Sequence, residues 1–224
     1  MKLARKDPKQ WADRLSRLVL LIGLGTVVLM VAAAPDTDLH GQVAPDALMR
    51  SISNEVLDRI KGDPALRGGD FSKRQGLIDE KVAPYVDFER MAQLAVGHDW
   101  RRATPEQRQA LTREFRTYVI LTYSGAMSRV TDEQVTVQPL GAQLGEAEVI
   151  VRTRLDSSAA DRTELDYRLE KTDAGWKICD VTIMGVSMVA TFRDSFASEI
   201  SRSGVEGLIR TLADKNKQLT TSGS

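Results

Sequence analysis

Few side chains in this chain have the types and spacing that metal binding requires. The two histidines are His40 and His98, and neither has His, Cys or paired-carboxylate neighbours at metal-ligand spacing. His98 precedes Asp99 in "GHDW", but adjacent side chains seldom aim at one target, so a turn at a helix end explains the motif better. We therefore expect no metal site.

Ser187 and two aspartates are the remaining candidates for catalysis. "GVSMV" places Ser187 after a predicted strand, but the second glycine of the hydrolase elbow is missing and no well-placed His supports a nucleophile. Asp166 and Asp180 fall within predicted strands and could act as bases if they were desolvated. Asp166 lies on the polar side of its strand, which favours a solvated carboxylate. A small α+β enzyme that uses Asp166 or Asp180 as a base beside a Tyr stays open as an alternative.

Cysteine chemistry is limited to one residue. Cys179 is the only cysteine, so an intramolecular disulfide is impossible. We expect Cys179 to be a small buried hydrophobic residue rather than a reactive thiol. The phosphate loop and the dinucleotide-binding fingerprint are also absent from the sequence.

The N-terminal segment has the layout of a secretory signal. Basic residues lead into the apolar run "LVLLIGLGTVVLMVAAA", and polar residues follow it. Val31 and Ala33 suit the −3 and −1 positions of a cleavage site before Ala34. Seventeen apolar residues are also close to the shortest membrane span, so an uncleaved anchor is the alternative. We predict a signal peptide or anchor over residues 1–33, a linker over 34–44, and a body that lies outside the cytoplasm.

Charge excludes one class of partner. The formal net charge is zero, but residues 1–34 contain six basic and two acidic side chains, so the remainder carries a charge of about −4. A mildly acidic body lacks the basic face that binding to a phosphate backbone requires. We therefore expect no nucleic-acid partner.

The first half of the body shows helical periodicity. The apolar residues of "PDALMRSISNEVLDRIK" recur every four positions and predict a helix. "FSKRQGLIDEKV" predicts a second helix, and "VDFERMAQLAVG" a third between a cap at Asp87 and a stop at Gly97. A fourth begins at Thr104, where Gln107 completes a capping box.

After about residue 134 the apolar period changes from four to two, which indicates strands. In "EAEVIVRTRLDS" and "RTELDYRLEK" alternate residues are apolar, and "SSAAD" between them predicts a hairpin. "VTVQPLG" and "GWKICDVTIMGV" complete four antiparallel strands, and two helices split near Gly204 follow. We predict an α+β fold: N-terminal helices, a curved four-stranded antiparallel sheet with one apolar face, and C-terminal helices that cover it.

Apolar stripes run along two of the predicted helices at a spacing of four residues. They comprise Leu111, Phe115, Val119, Tyr123 and Met127 on one, and Met188, Phe192, Phe196 and Ile200 on the other. Periodicity alone does not separate a packed core from a lined cavity. A periplasmic interaction module whose stripes are an ordinary core is therefore a second alternative.

Three segments together resemble the MlaC family of toluene-tolerance auxiliary proteins, periplasmic carriers that shuttle phospholipid between the two membranes of Gram-negative bacteria. "VAPYVDFERMAQLAVGHDWRRATPEQRQALTREF" is similar to the family's P-x-V-D-F helix, L-G-x-x-W-like turn and A-T-P-x-Q-R helix start, with Ala95-Val96-Gly97 replacing the usual Val-Leu-Gly. The others are "LTYSGAM" and "GWKICDVTIMGVSMVATFRDSF" followed by "GVEGLIRTLADKN". The likeness covers about residues 45–217 and leaves 218–224 as a tail.

The resemblance implies helices and a curved sheet that enclose a deep apolar pocket, with two acyl chains inside and the headgroup in solvent. It implies two partners: an inner-membrane ABC transporter with an MCE-domain protein, and an outer-membrane lipoprotein–porin complex. Tyr123 matches a pocket tyrosine of the family's helix, and Tyr167 an aromatic residue on the inner face of the sheet. We expect a non-enzymatic monomer whose only small molecule is phospholipid cargo, without a cofactor.

The physics of lipid transfer agrees with this hypothesis. Two chains of about fifteen methylenes, at roughly 0.8 kcal/mol each, represent about 24 kcal/mol of transfer free energy from water. A carrier must therefore hide almost all of both chains, which needs many apolar side chains and no catalytic group. The predicted pocket-lining residues are Tyr85, Val86, Met91, Phe115, Tyr123, Met127, Val149, Val151, Leu165, Tyr167, Ile183 and Met188.

Overall fold

A computed structural model describes residues 43–68, 70–130, 132–140, 146–157 and 162–222. The predicted signal segment, nearly all of the linker and the last two residues of the tail lie outside these ranges. The α-helices are α1 (Pro45–Gly62), α2 (Pro64–Arg67), α3 (Phe71–Lys81), α4 (Phe88–Val96), α5 (Pro105–Tyr123) and α6 (Met188–Ser222). Three 3-10 helices connect them at Ala83–Tyr85, Gly97–Arg102 and Ser124–Arg129.

The helix ends follow the local signals in the sequence. At the start of α5, Thr104 accepts a hydrogen bond from the Gln107 backbone amide and the Gln107 side chain accepts one from the Thr104 amide, so the predicted capping box is confirmed. Asp87 caps α4 by accepting from the Arg90 amide, and Gly97 ends α4 at φ 69°. A backbone break at Gly204 (φ 70°, ψ 179°) divides α6, as predicted.

The sheet is antiparallel with five strands, so the prediction of four was wrong. The strands are β1 (Gln134–Val137), β2 (Glu148–Asp156), β3 (Arg162–Thr172), β4 (Gly175–Ile183) and β5 (Val186–Ser187), and their order in the sheet is their order in the chain. The extra strand is β5, which a turn at Met184 and Gly185 folds back onto β4. Two residues are too short for alternation to reveal a strand.

One face of the sheet is apolar, as the alternating pattern predicts. The register pairs Val149 with Leu169 and Val151 with Tyr167, and directly opposed residues of an antiparallel pair share a face. On β4 the register shifts at Cys179, so that Leu169 pairs with Ile178 and Arg168 with Asp180. This bulge keeps Ile178 and Val181 on the same apolar face although three positions separate them.

The buried apolar side chains form three clusters. The helix cluster lies among α4, α5 and α6, and the sheet cluster lies between α1 and the apolar sheet face. The α1–α3 cluster contains Ile60, Leu66 and Leu77. Val86 and Val181 contact both the helix cluster and the sheet cluster, so these two side chains join the sheet to the helices. Across the described part of the chain, no helix has the length and hydropathy that crossing a membrane requires.

Candidate functional site

The apolar sheet face is closed at one end and partly open at the other. At the closed end Val149, Leu169 and Ile178 are 2%, 0% and 3% exposed beneath α1. At the open end the side chains that continue the same face on β2, β3 and β4 are only half-buried; they are Leu155, Leu165 and Ile183. The apolar surface therefore extends beyond the part of it that α1 covers.

Half-buried apolar side chains also lie at the C-terminal end of α5 and in the 3-10 helix that follows. Val119 and Tyr123 pack against the helix cluster, as does Ile183 from the sheet. Met127 and Val130 pack against the α1–α3 cluster. This one segment of the chain therefore contributes apolar side chains to both the helix cluster and the α1–α3 cluster, which share no buried residue.

The structure places the twelve predicted pocket residues in three environments. Val86, Tyr123, Met127, Leu165, Tyr167 and Ile183 are half-buried; Met91, Phe115, Val149, Val151 and Met188 are buried; and Tyr85 is 36% exposed. Of the half-buried group, Val86 forms a backbone bridge with Ile178 at the closed end of the sheet, and the other five belong to the partly open surface. Whether any of the twelve contacts a ligand stays a prediction.

Three half-buried residues of the same surface were missed by the sequence prediction. Val135 on β1 and Leu155 on β2 are register partners on the apolar face, and Val181 on β4 is opposite Tyr167. Alternation alone places Leu155 with Val149 and Val151. Val181 could not be placed in this way, because the bulge at Cys179 moves it by one residue relative to simple alternation.

Phe115 belongs to a group of aromatic side chains within the helix cluster. Its ring is 5.3 Å from that of Phe192 and 5.8 Å from that of Phe196 between centroids, both edge to face. Tyr118 meets Phe192 at 5.7 Å in the same manner. Such contacts add to the burial energy of the rings, so Phe115 stabilises the packing of α5 on α6.

Two tyrosines of the candidate surface have perturbed pKa values. Burial raises the pKa of Tyr123 to about 12, with a smaller contribution from Tyr118. Burial also raises the pKa of Tyr167 to about 12, against a hydrogen bond with Thr153 that lowers it. Both hydroxyls are therefore neutral at physiological pH, and this surface gains no charge from them.

Asp180 and Ser187 form the cap at the start of α6. Asp180 Oδ2 accepts a hydrogen bond from the Ser187 hydroxyl at 2.6 Å, and Oδ1 accepts from the amides of Val181 at 2.8 Å and Val189 at 3.1 Å. Ser187 Oγ in turn accepts from the Ala190 amide at 3.0 Å. These bonds give both residues a structural role at the start of α6.

The other residues considered for chemistry have ordinary surroundings. Cys179 is 0% exposed, its Sγ donates to the Arg168 carbonyl oxygen at 3.4 Å, and burial raises the pKa of the thiol to about 12. Asp166 lies on the polar sheet face between its register partners Arg152 and Thr182. His98 is 70% exposed within a 3-10 helix, 3.6 Å from Asp99.

A surface cleft of about 580 Å³ lies where α4 meets α5, away from the apolar surface. Its lining consists of Glu89, Pro105, Arg108, Gln109, Thr112, Arg113 and Arg116. Two of the arginines pair with nearby carboxylates, Arg113 with Glu114 and Arg116 with Asp79. The local charges are therefore largely balanced by ion pairs.

Comparison with known proteins finds relatives that are named for phospholipid binding and transport. A family model described as "MlaC protein" matches residues 50–214. A solved structure of a phospholipid-binding protein from Ralstonia solanacearum, in complex with a phospholipid, has 39% sequence identity and a TM-score of 0.74. That match covers 78% of this chain and 98% of the other.

Two curated proteins are more distant relatives. The toluene tolerance protein ttg2D of Pseudomonas putida is 24% identical over 189 residues, which are 84% of this chain and 86% of the relative. The intermembrane phospholipid transport system binding protein MlaC of Haemophilus influenzae is 19% identical over 181 residues, 79% of this chain and 84% of the relative.

Proposed function

The chain belongs to the MlaC family, and from this premise we propose that it is a periplasmic phospholipid carrier. The acyl chains lie against the apolar surface formed by the open end of the sheet, the C-terminal end of α5 and the 3-10 helix after it. The observation that carries the proposal is the change in burial along one sheet face, from 0–3% exposed side chains at the closed end to half-buried ones at the open end.

Hydration energy explains why such a surface needs an occupant. Apolar area that stays accessible to water costs about 25 cal/mol per Å² relative to covered area. Leu165, Tyr167 and Ile183 point to the same side as the fully covered Val151 and Leu169, yet they remain half-buried. Acyl chains would complete the coverage and would themselves be removed from water.

The proposed function includes transport of lipid between the two membranes. A carrier of this kind exchanges lipid with an inner-membrane ABC transporter that contains an MCE-domain protein, and with an outer-membrane lipoprotein–porin complex. It works as a monomer and performs no chemistry on the lipid. The hydrogen bonds that engage Asp180 and Ser187 in the α6 cap support a binding role over the enzyme alternative.

The direct test is the lipid content of the purified protein. Expressed in a Gram-negative host and purified without detergent, the chain should carry about one diacyl phospholipid per molecule, measured by native mass spectrometry and by lipid extraction. A chain that is folded and lipid-free would contradict the proposal and favour the interaction module with an ordinary core.

A variant with a larger side chain on the half-buried surface tests where the lipid binds. Ile183→Trp adds volume to the half-buried surface and should reduce bound lipid to less than half of the wild-type content, because the ring occupies space that acyl chains need. Ile150→Trp is the matched control, since Ile150 is 40% exposed on the opposite sheet face. Equal lipid content in the two variants would place the lipid elsewhere.

A further inference from the structure

The turn between β4 and β5 places a methionine at the surface. Met184 is 52% exposed, whereas Met49, Met91 and Met188 are 8% exposed or less. Met127, the remaining methionine of the described residues, is half-buried. An oxidant dissolved in water therefore reaches the side chain of Met184 directly, but it reaches the three buried side chains only when the structure opens locally.

The backbone of this turn does not favour a methionine. Met184 and Gly185 have φ values of 49° and 80°, and two consecutive positive values are typical of a two-residue hairpin turn. Asn, Asp and Gly usually occupy such positions, since a positive φ is unfavourable for most other residues. Exposure to solvent does not favour an apolar residue either. What Met184 adds to the turn is its sulfur atom.

This sulfur atom replaces a backbone acceptor at the end of the β3–β4 ladder. Opposed residues of an antiparallel pair exchange two backbone hydrogen bonds at every second position. Leu165 pairs with Ile183, so Glu164 is opposite Met184. The Met184 amide donates to the Glu164 carbonyl oxygen at 2.9 Å, but the Glu164 amide donates to Met184 Sδ at 3.2 Å. One lone pair of Sδ is thus engaged with the amide, and the second is left for an oxidant.

We propose that Met184 is a site of reversible oxidation by hydrogen peroxide, and that the Glu164 amide makes this oxidation stereoselective. The peroxide transfers one oxygen atom to the second lone pair of Sδ, so that an S–O bond forms while the O–O bond breaks. The thioether is oxidised by two electrons to the sulfoxide, and the peroxide is reduced to water. Because the amide covers the first lone pair, one of the two sulfoxide epimers predominates. This proposal does not depend on the proposed function.

Reduction returns the sulfoxide to the thioether. Methionine sulfoxide reductases supply the two electrons from a pair of thiols, which become a disulfide, and the sulfoxide oxygen leaves as water. Each class of reductase acts on one epimer, so a single class should repair Met184. Between oxidation and repair, an exposed apolar side chain at the end of the sheet is polar.

The other sulfur atom of this sheet is protected from the same oxidant. Cys179 is the only cysteine of the chain and is 0% exposed. Burial raises the pKa of its thiol to about 12, so the reactive thiolate is scarce at neutral pH. Peroxide at a low concentration should therefore modify Met184 before Cys179.

Peptide mapping by mass spectrometry tests the site. The purified full chain is treated with dilute hydrogen peroxide, and the sulfoxide fraction of each methionine is followed over time. Met184 should be oxidised at least about tenfold faster than Met188, because Met188 reacts only after local opening. In urea that unfolds the chain, the two rates should become similar. Equal rates at Met184 and Met188 in the folded chain would overturn the proposal.

Epimer-specific reductases test the stereoselectivity. After oxidation of the folded chain, one class of reductase should repair most of the Met184 sulfoxide and the other class little of it. The chain oxidised in urea is the control, and there both classes should repair similar fractions. An equal mixture of epimers from the folded chain would overturn the proposal.

Nuclear magnetic resonance tests the contact between Met184 and Glu164. Oxidation of the wild-type chain should shift the Glu164 amide resonance, because the acceptor of its hydrogen bond changes. Met184→Leu has a side chain of similar volume without sulfur, so peroxide should leave its Glu164 resonance unchanged. A Glu164 resonance that does not shift in the oxidised wild-type chain would also overturn the proposal.

Discussion

At the scale of single residues, the degree of burial separates two roles on one apolar surface. Val151 is 0% exposed and packs between the sheet and α1, while Tyr123 is half-buried at the end of α5. A side chain that other side chains already cover contributes to folding, whereas one that remains partly accessible is available to a ligand. The same chemical change at the two positions should therefore have different effects.

Tyr123→Glu should lower bound lipid by more than half and cost less than about 2 kcal/mol of unfolding free energy, because the new carboxylate can reach water from a half-buried site. Val151→Glu should cost more than about 3 kcal/mol, since it buries a carboxylate without a partner. Urea unfolding and native mass spectrometry measure the two effects. Similar losses of stability in both variants would contradict this separation.

The sequence predicted which residues are apolar and inward-facing better than it predicted which of them are covered. Alternation identified Val149, Val151, Leu165 and Tyr167 as sharing a face, and the register confirms it. Coverage depends on where α1 crosses the sheet, which is a tertiary contact that no local pattern encodes. Leu169 is buried and Leu165 is half-buried although both lie on the same face of β3, and this difference in coverage depends on such a tertiary contact.

At the scale of elements, one carboxylate links the sheet to the first turn of the final helix. Asp180 on β4 accepts hydrogen bonds from Ser187 and from the Val189 amide in the first turn of α6. A negative charge at a helix N-terminus also interacts favourably with the helix dipole. Asp180 therefore ties the first turn of α6 to β4.

Asp180→Ala should cost about 2–4 kcal/mol of unfolding free energy, because three hydrogen bonds to a charged acceptor are lost and a buried amide is left without its partner. Asp166→Ala is the matched control on the same face of the sheet and should change stability by less than about 0.5 kcal/mol. Urea unfolding followed by circular dichroism measures both. A negligible effect at Asp180 would show that the cap is dispensable.

Local signals predicted the elements where the relevant chemistry is local. Thr104 with Gln107, Asp87 and Gly97 mark helix ends through bonds within a few residues of each other, and all of them are confirmed. The fifth strand was missed because it consists of Val186 and Ser187 alone. Its pairing with β4 depends on a left-handed Met184, and sequence patterns favour Gly or Asn in that conformation.

At the scale of the whole molecule, two half-buried tyrosines and a buried cysteine connect stability to alkaline pH. Burial raises the pKa of Tyr123 and Tyr167 from 10 to about 12, and that of Cys179 from 9 to about 12. Between pH 9 and 12 the unfolded chain loses these protons before the folded one does. Stability is therefore fully present below about pH 8 and falls as the pH rises toward 12.

The free energy of unfolding should fall by roughly 5 kcal/mol between pH 9 and pH 11, measured by urea titrations at fixed pH. Tyr167→Phe removes one of the titrating groups, so the decline in this variant should be smaller than in the wild type. A variant that declines as steeply as the wild type would show that Tyr167 does not contribute.

The strictly sequential order of the five strands has a consequence for how the chain folds. Each strand pairs with its immediate successor, so the sheet can grow by short-range hairpin closures whose entropic cost is small. The packing of α6 on α5 joins segments about eighty residues apart. Docking of the last helix should therefore be the rate-limiting step of folding, because distant contacts form more slowly than local ones.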